Sequence, residues 1–80
     1  MAWAKTEQEW ADRAARHLKA ELKRADVTYE ELAERLKKHG FKNETKAAIA
    51  NKLARGTFSA TFFLASLAAI GCATVTIDDI

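Results

Sequence analysis

Eighty residues with 49% hydrophobic and 30% charged side chains suit one small globular domain with a single modest core. Seventeen alanines, three glycines and no proline favour helix throughout and leave too little turn chemistry for a β or mixed fold. The lone cysteine, Cys72, excludes an intramolecular disulfide and reads as a small apolar core residue in a reducing compartment; Met1 to Lys5 lack the apolar run of a secretory signal, so a cytoplasmic location is expected.

The first helix is expected over about 6–25. Thr6 and Glu9 have capping-box spacing, and Trp10, Ala14, Leu18, Leu22 and Ala25 recur at steps of four and three as one buried stripe. Glu9 with Arg13, and Asp12 with Arg16, stand at i,i+4 pairing distance. Arg13, Arg16, Lys19 and Lys23 form a basic ridge opposite the stripe, either plain solvation or a source of phosphate contacts. Trp10 belongs to the core on this reading, and Trp3 forms a lid over an open edge or an oligomer contact.

The second helix is expected over about 29–39, the third over about 44–55. Thr28 and Glu31 again have capping-box spacing, with Val27 and Leu32 as the hydrophobic staple, and Gly40 suits the left-handed residue that ends the helix. The third helix is expected to start at Asn43, with Ala47, Ala50, Leu53 and Ala54 inward and Glu44, Ala48, Asn51, Lys52 and Arg55 outward. From Arg35 to Arg55 there are seven basic residues (Arg35, Lys37, Lys38, Lys42, Lys46, Lys52, Arg55) against one acid, Glu44, in a chain whose net charge is only +2. That cluster suits a polyanion as partner, or a solvated face that keeps a small protein soluble.

After Gly56 no charged residue occurs until Asp78. Ser59 is the expected N-cap of a fourth helix over about 60–70, with Phe58 and Phe63 as its staple and Gly71 at its end. Phe62, Phe63, Leu67 and Ile70 face the core, and Leu64 and Ala68 widen the apolar face so far that little of the helix should be wet. Residues 73–77 alternate small or polar with branched apolar side chains, as a short strand or an extended tail does. The uncharged run is long enough to span a bilayer, but its Ser, Thr and Gly content, and the need of the first 56 residues for its apolar groups, favour a core role without a membrane partner.

Thr28-Tyr29-Glu30-Glu31-Leu32-Ala33, Ile49 through Arg55-Gly56, and Phe58 to Gly71 resemble the helix-turn-helix family of lambda repressor and Cro over roughly residues 12 to 71. Asn51 to Phe58 also resembles an Asn-Lys-Leu-x-Arg-Gly-x-Phe segment of small uncharacterised bacterial domains. The first resemblance implies an all-α, four-helix compact helix-turn-helix domain that regulates transcription by placing its third helix in the major groove of double-stranded DNA. Asn43, Thr45 and Asn51 are then candidates for base or backbone hydrogen bonds, and Glu44 for accepting from a cytosine amino group. Lys42, Lys46, Lys52 and Arg55 would hold phosphates, flanked by Lys37 and Lys38, while Tyr29 would touch backbone or a thymine methyl.

A homodimer is expected through the tail 72–80, Trp3 or both. The alternative is a non-catalytic helical protein-interaction or oligomerisation module on the same scaffold. His17, His39 and Cys72 are read as residues without metal-ligating companions, and no nucleophile motif or phosphate-binding glycine loop is present. Neither an enzyme nor a cofactor or metal is expected.

Overall fold

The computed structural model describes residues 3–80 and contains four α-helices: α1, Glu7–Ala25; α2, Tyr29–Lys37; α3, Lys46–Arg55; and α4, Ala60–Ala69. A 3-10 turn, Ile77–Asp79, follows. Helices α2 and α4 and helices α1 and α3 pack in pairs, with α3 also against α2 and α4 against α1. Their shared core holds Leu18 and Leu22 of α1, Leu32 and Leu36 of α2, Ile49 and Leu53 of α3, and Phe62 and Leu67 of α4. Each such side chain removed from water contributes about 1.5–3 kcal/mol before ordering costs.

Side-chain caps set the helix starts. Thr28 Oγ1 accepts from the Glu31 N–H at 3.1 Å, the Glu31 carboxylate accepts from the Thr28 N–H, and the box is complete. Val27 and Leu32 beside it are both buried. Ser59 Oγ accepts from the Phe62 N–H, while Phe58 and Phe63 stack with ring centroids 5.8 Å apart, closing the second staple. At α1 only half a box forms: Thr6 accepts from the Glu9 N–H, but the Glu9 carboxylate takes the Lys5 N–H at 2.8 Å. Glu9 is thereby drawn away from Arg13, and Asp12 accepts from the Gln8 amide, so neither expected pair on α1 forms.

Two helix ends matter for the site. At the end of α2 the Phe41 N–H reaches back to the Leu36 carbonyl at 3.0 Å, with Gly40 left-handed at φ 92°; this turn seats Phe41 against Phe62. At the end of α3, Gly56 (φ 69°) lies so close to α1 that an added Cβ would sit 2.8 Å from the Ala11 carbonyl oxygen. This contact fixes the C-terminal half of α3 on the first half of α1.

That close approach corrects the expected stripe of α1. Small residues, Ala11 and Ala15, meet α3, and the core-facing line runs through Ala15, Leu18 and Leu22. Trp10 is left 40% exposed and packs against Trp3 with ring centroids 6.1 Å apart; Ala25 is also exposed. Helix α3 needs a similar correction. Thr45, not Asn43, is its N-cap, because its hydroxyl accepts from the Ala48 N–H at 3.1 Å. Asn43 and Glu44 precede the helix. Its inner face is Ile49 and Leu53, which bury far more apolar area than the alanines; Ala47 and Ala54 face outward.

On α4, Phe62, Ser66 and Leu67 are buried, whereas Leu64 is 63% exposed and Ala68 is also exposed. The expectation that little of this helix would be wet is not met, because α1 and α2 cover only one side of it. No strand forms among the described residues; after Cys72 the tail has no regular structure up to Ile77 and packs Val75 against the core. At ten residues α4 is about 15 Å long, half a bilayer's hydrocarbon thickness, and no described helix is long and apolar enough to cross a membrane.

Candidate nucleic-acid interface

Helix α3 contains Lys46, Lys52 and Arg55 and no acid, so its own charge invites an anion. Its neighbours decide which parts of it remain available. Four of the seven cations between Arg35 and Arg55 are occupied within the fold. Arg35 donates to the Ala69 carbonyl at 3.1 Å, where it also complements the negative end of α4. Lys37 pairs with Glu34 at 3.0 Å and Lys46 with Glu30 at 3.7 Å. Lys52 pairs with Glu44 and lies 4.6 Å over the Phe62 ring.

The last arrangement concerns two expected site residues. Lys52 is expected on the outward face and Glu44 at the first turn of α3, free to meet a base. The Lys52 side chain is instead only 30% exposed and that of Glu44 only 10% exposed, so each neutralises the other beside the core. Thr45 spends its acceptor on capping α3, and Tyr29 packs half-buried against the core. Lys38, Lys42, Asn43, Asn51 and Arg55 are exposed. Among the described residues Lys38, Lys42 and Arg55 form no ion pair.

The two flanks of α3 carry opposite charge. Toward α2 lies an open cleft of about 470 Å³ bordered by Glu30, Glu31, Glu34 and Glu44 with Lys37 and Lys46, four carboxylates against two ammonium groups. Counting charge only from Arg35 onward hid three of these acids, which precede the basic run by a single helical turn. Toward α1 lies a cleft of about 430 Å³ lined by Asp12, Ala15, Arg16, Lys19, Leu53 and Ala54. Arg16 and Lys19 make no ion pair among the described residues, and the Asp12 carboxylate accepts instead from the Gln8 amide. Arg16 and Lys19 of the α1 ridge share a cleft with Leu53 and Ala54 of α3.

Fold and surface define a four-helix domain with one cation-bearing groove and one acid-bearing groove on either side of its third helix. The family described as Domain of unknown function (DUF6471) matches residues 10–75, and the chain belongs to that family. No curated protein and no solved structure matches the chain.

Proposed function

We propose that this domain binds duplex DNA as a small transcriptional regulator, presenting the α1–α3 surface to it. The observation that carries the reading is the pair Arg16 and Lys19, without an ion-pair partner among the described residues, in the cleft beside an acid-free α3 that also carries the exposed Arg55. Ala47, Asn51 and Ala54 on the outward face are short enough to let the helix backbone approach a major groove closely, and the Asn51 amide suits bidentate pairing with an adenine edge. Arg16 and Lys19 would hold phosphates along one side, with Lys38 and Lys42 extending the contact from the α2–α3 turn. That turn covers residues 38–45, longer than the three or four residues of helix-turn-helix turns. The acidic cleft toward α2 would repel a polyanion, so the docking contacts fall on the α1 side and exclude Lys52 and Glu44.

The test is charge reversal. Arg16→Glu/Lys19→Glu should weaken binding to duplex DNA at low salt by roughly tenfold or more while helicity is retained. Unchanged affinity in the folded variant would remove this reading.

A second reading, self-association as a helical interaction module, is favoured by the exposed Leu64. It borders an apolar cleft of about 430 Å³ with Leu67, Ala68, Cys72 and Val75. Light scattering of the protein and of Leu64→Lys decides it: a dimer that the variant converts to monomer supports this reading, and a monomer throughout opposes it.

A further inference from the structure

We propose that His17, Glu21 and Cys72 form a site for a thiophilic divalent cation of the zinc type. An imidazole nitrogen, a carboxylate oxygen and the thiol sulfur of these three residues all lie within 4.8 Å of one another. The site shares none of its residues with the DNA-binding surface and stands independently of that reading.

Two of the ligands come from one helix. His17 and Glu21 are four residues apart on α1, which sets both side chains on the same face one turn apart, a spacing from which helices commonly chelate metals. The third is delivered by the fold. The turn that ends α4 has the Cys72 N–H donating to the Leu67 carbonyl at 2.9 Å, and this bond fixes the backbone from which the thiol reaches α1. This corrects the expectation that His17 and Cys72 lack companions: Glu21, one turn along α1 from His17, is the first half of the signal and stands in the sequence. The distance from Glu21 to Cys72 along the chain hid the second.

His17 gives the independent sign of a ligand. Its Nε2 is buried without a hydrogen-bond partner among the described residues, an arrangement that a buried polar atom avoids unless something else satisfies it. The His17 ring lies against Phe63, with centroids 6.4 Å apart, which limits how far it can turn away. Glu21 is also held: Arg24 Nη1 contacts both carboxylate oxygens, at 2.8 and 3.2 Å, and each oxygen keeps a second lone pair with which it could reach an ion. Among the described residues the thiol meets only the Thr74 carbonyl, at 3.3 Å, a weak bond that coordination readily replaces. All three groups line a single cleft of about 560 Å³ beneath the tail, so an ion has a path from solvent.

The donor set selects the class of ion. One sulfur, one imidazole nitrogen and one carboxylate oxygen suit zinc or its cobalt and cadmium substitutes, whereas magnesium and calcium demand oxygen ligands. Ligand atoms around a tetrahedral zinc are about 3.5 Å apart, so the three must close by roughly 1 Å, within side-chain reach. On binding, Cys72 loses its S–H proton to solvent and its thiolate forms the metal–sulfur bond, with no change of oxidation state. Three protein ligands leave a fourth position toward the cleft for water or an external donor. The ion would tie the C-terminal tail to α1.

The test uses the untagged 80-residue chain, reduced and freed of metal, titrated with Co²⁺. A thiolate-to-cobalt charge-transfer absorption that saturates at one equivalent per chain and is displaced by Zn²⁺ is expected. Cys72→Ser should abolish the band, and His17→Ala and Glu21→Gln should each weaken binding by roughly tenfold or more with helicity unchanged. In the unaltered chain Zn²⁺ should also slow alkylation of Cys72, and Mg²⁺ should not. No band, a band saturating at half an equivalent, a band indifferent to His17→Ala, or alkylation unaffected by Zn²⁺ would each overturn the site.

Discussion

The two sides of α3 show how differently the same charges act once the chain is folded. Toward α2, Lys37 and Lys46 meet Glu34 and Glu30, and the cleft between the helices is net acidic. Toward α1, the cations Arg16 and Lys19 face solvent beside Ala54, and the one acid in their cleft, Asp12, accepts from Gln8. The lesson is that charge summed along a segment is not charge presented on a surface. A lysine in an i,i+3 or cross-helix pair adds little to the field a polyanion meets, while two unpaired residues on a neighbouring helix add more.

The largest change expected is loss of the surface altogether. Gly56→Ala forces a left-handed residue to carry a Cβ and drives it into the Ala11 carbonyl, which should cost roughly 2–4 kcal/mol in urea denaturation. Because this glycine seats α3 on α1, DNA binding should fall with the folded fraction. Gly40→Ala, at a left-handed position with open space around it, should cost only about 1 kcal/mol and serves as the control for strain alone.

Lys52→Met separates structural from surface charge. It leaves the Glu44 carboxylate beside the core without its partner and should destabilise the fold by about 1–3 kcal/mol. DNA affinity of the folded protein should stay within about twofold, since Lys52 lies outside the binding surface. A loss comparable to that of Arg16→Glu/Lys19→Glu, measured by fluorescence anisotropy, would break the contrast between the flanks.

Glu30→Gln/Glu34→Gln sharpens the contrast from the other side. Removing two carboxylates releases Lys46 and Lys37, so DNA affinity at low salt should rise by roughly threefold with little change in stability. The smallest effect belongs to Ser66, fully buried with its hydroxyl unpartnered among the described residues. Ser66→Ala should change stability by no more than about 1 kcal/mol, toward neutral or stabilising, in the same denaturation assay.

Local signals made the helices legible. Thr6, Thr28 and Ser59 mark three starts because a hydroxyl three residues ahead of a free N–H acts within one turn, wherever the rest of the chain lies. Gly40 and Gly71 mark ends for the same reason. The start of α3 was misread by two residues, since Asn43 and Thr45 both qualify as caps and only packing of Ile49 and Leu53 selects between them. Trp10 and Leu64 looked like core by periodicity, but Gly56 against Ala11 and the absence of a described element over Leu64 left both exposed. The candidate surface was legible only in pieces: Asn51 and Arg55 on α3, Arg16 and Lys19 on α1. Their juxtaposition, the withdrawal of Lys52 to Glu44, and the approach of Cys72 to His17 and Glu21 all depend on contacts between distant segments.

Binding to labelled random-sequence duplex DNA, followed by fluorescence anisotropy across a salt series with Arg16→Glu/Lys19→Glu in parallel, tests the α1–α3 surface. Binding at low salt that weakens linearly on a log–log plot is expected, with a slope smaller by about 1.8 in the double variant, the loss of two phosphate contacts. No binding at low salt, or the same slope in both proteins, would contradict a DNA-binding α1–α3 surface.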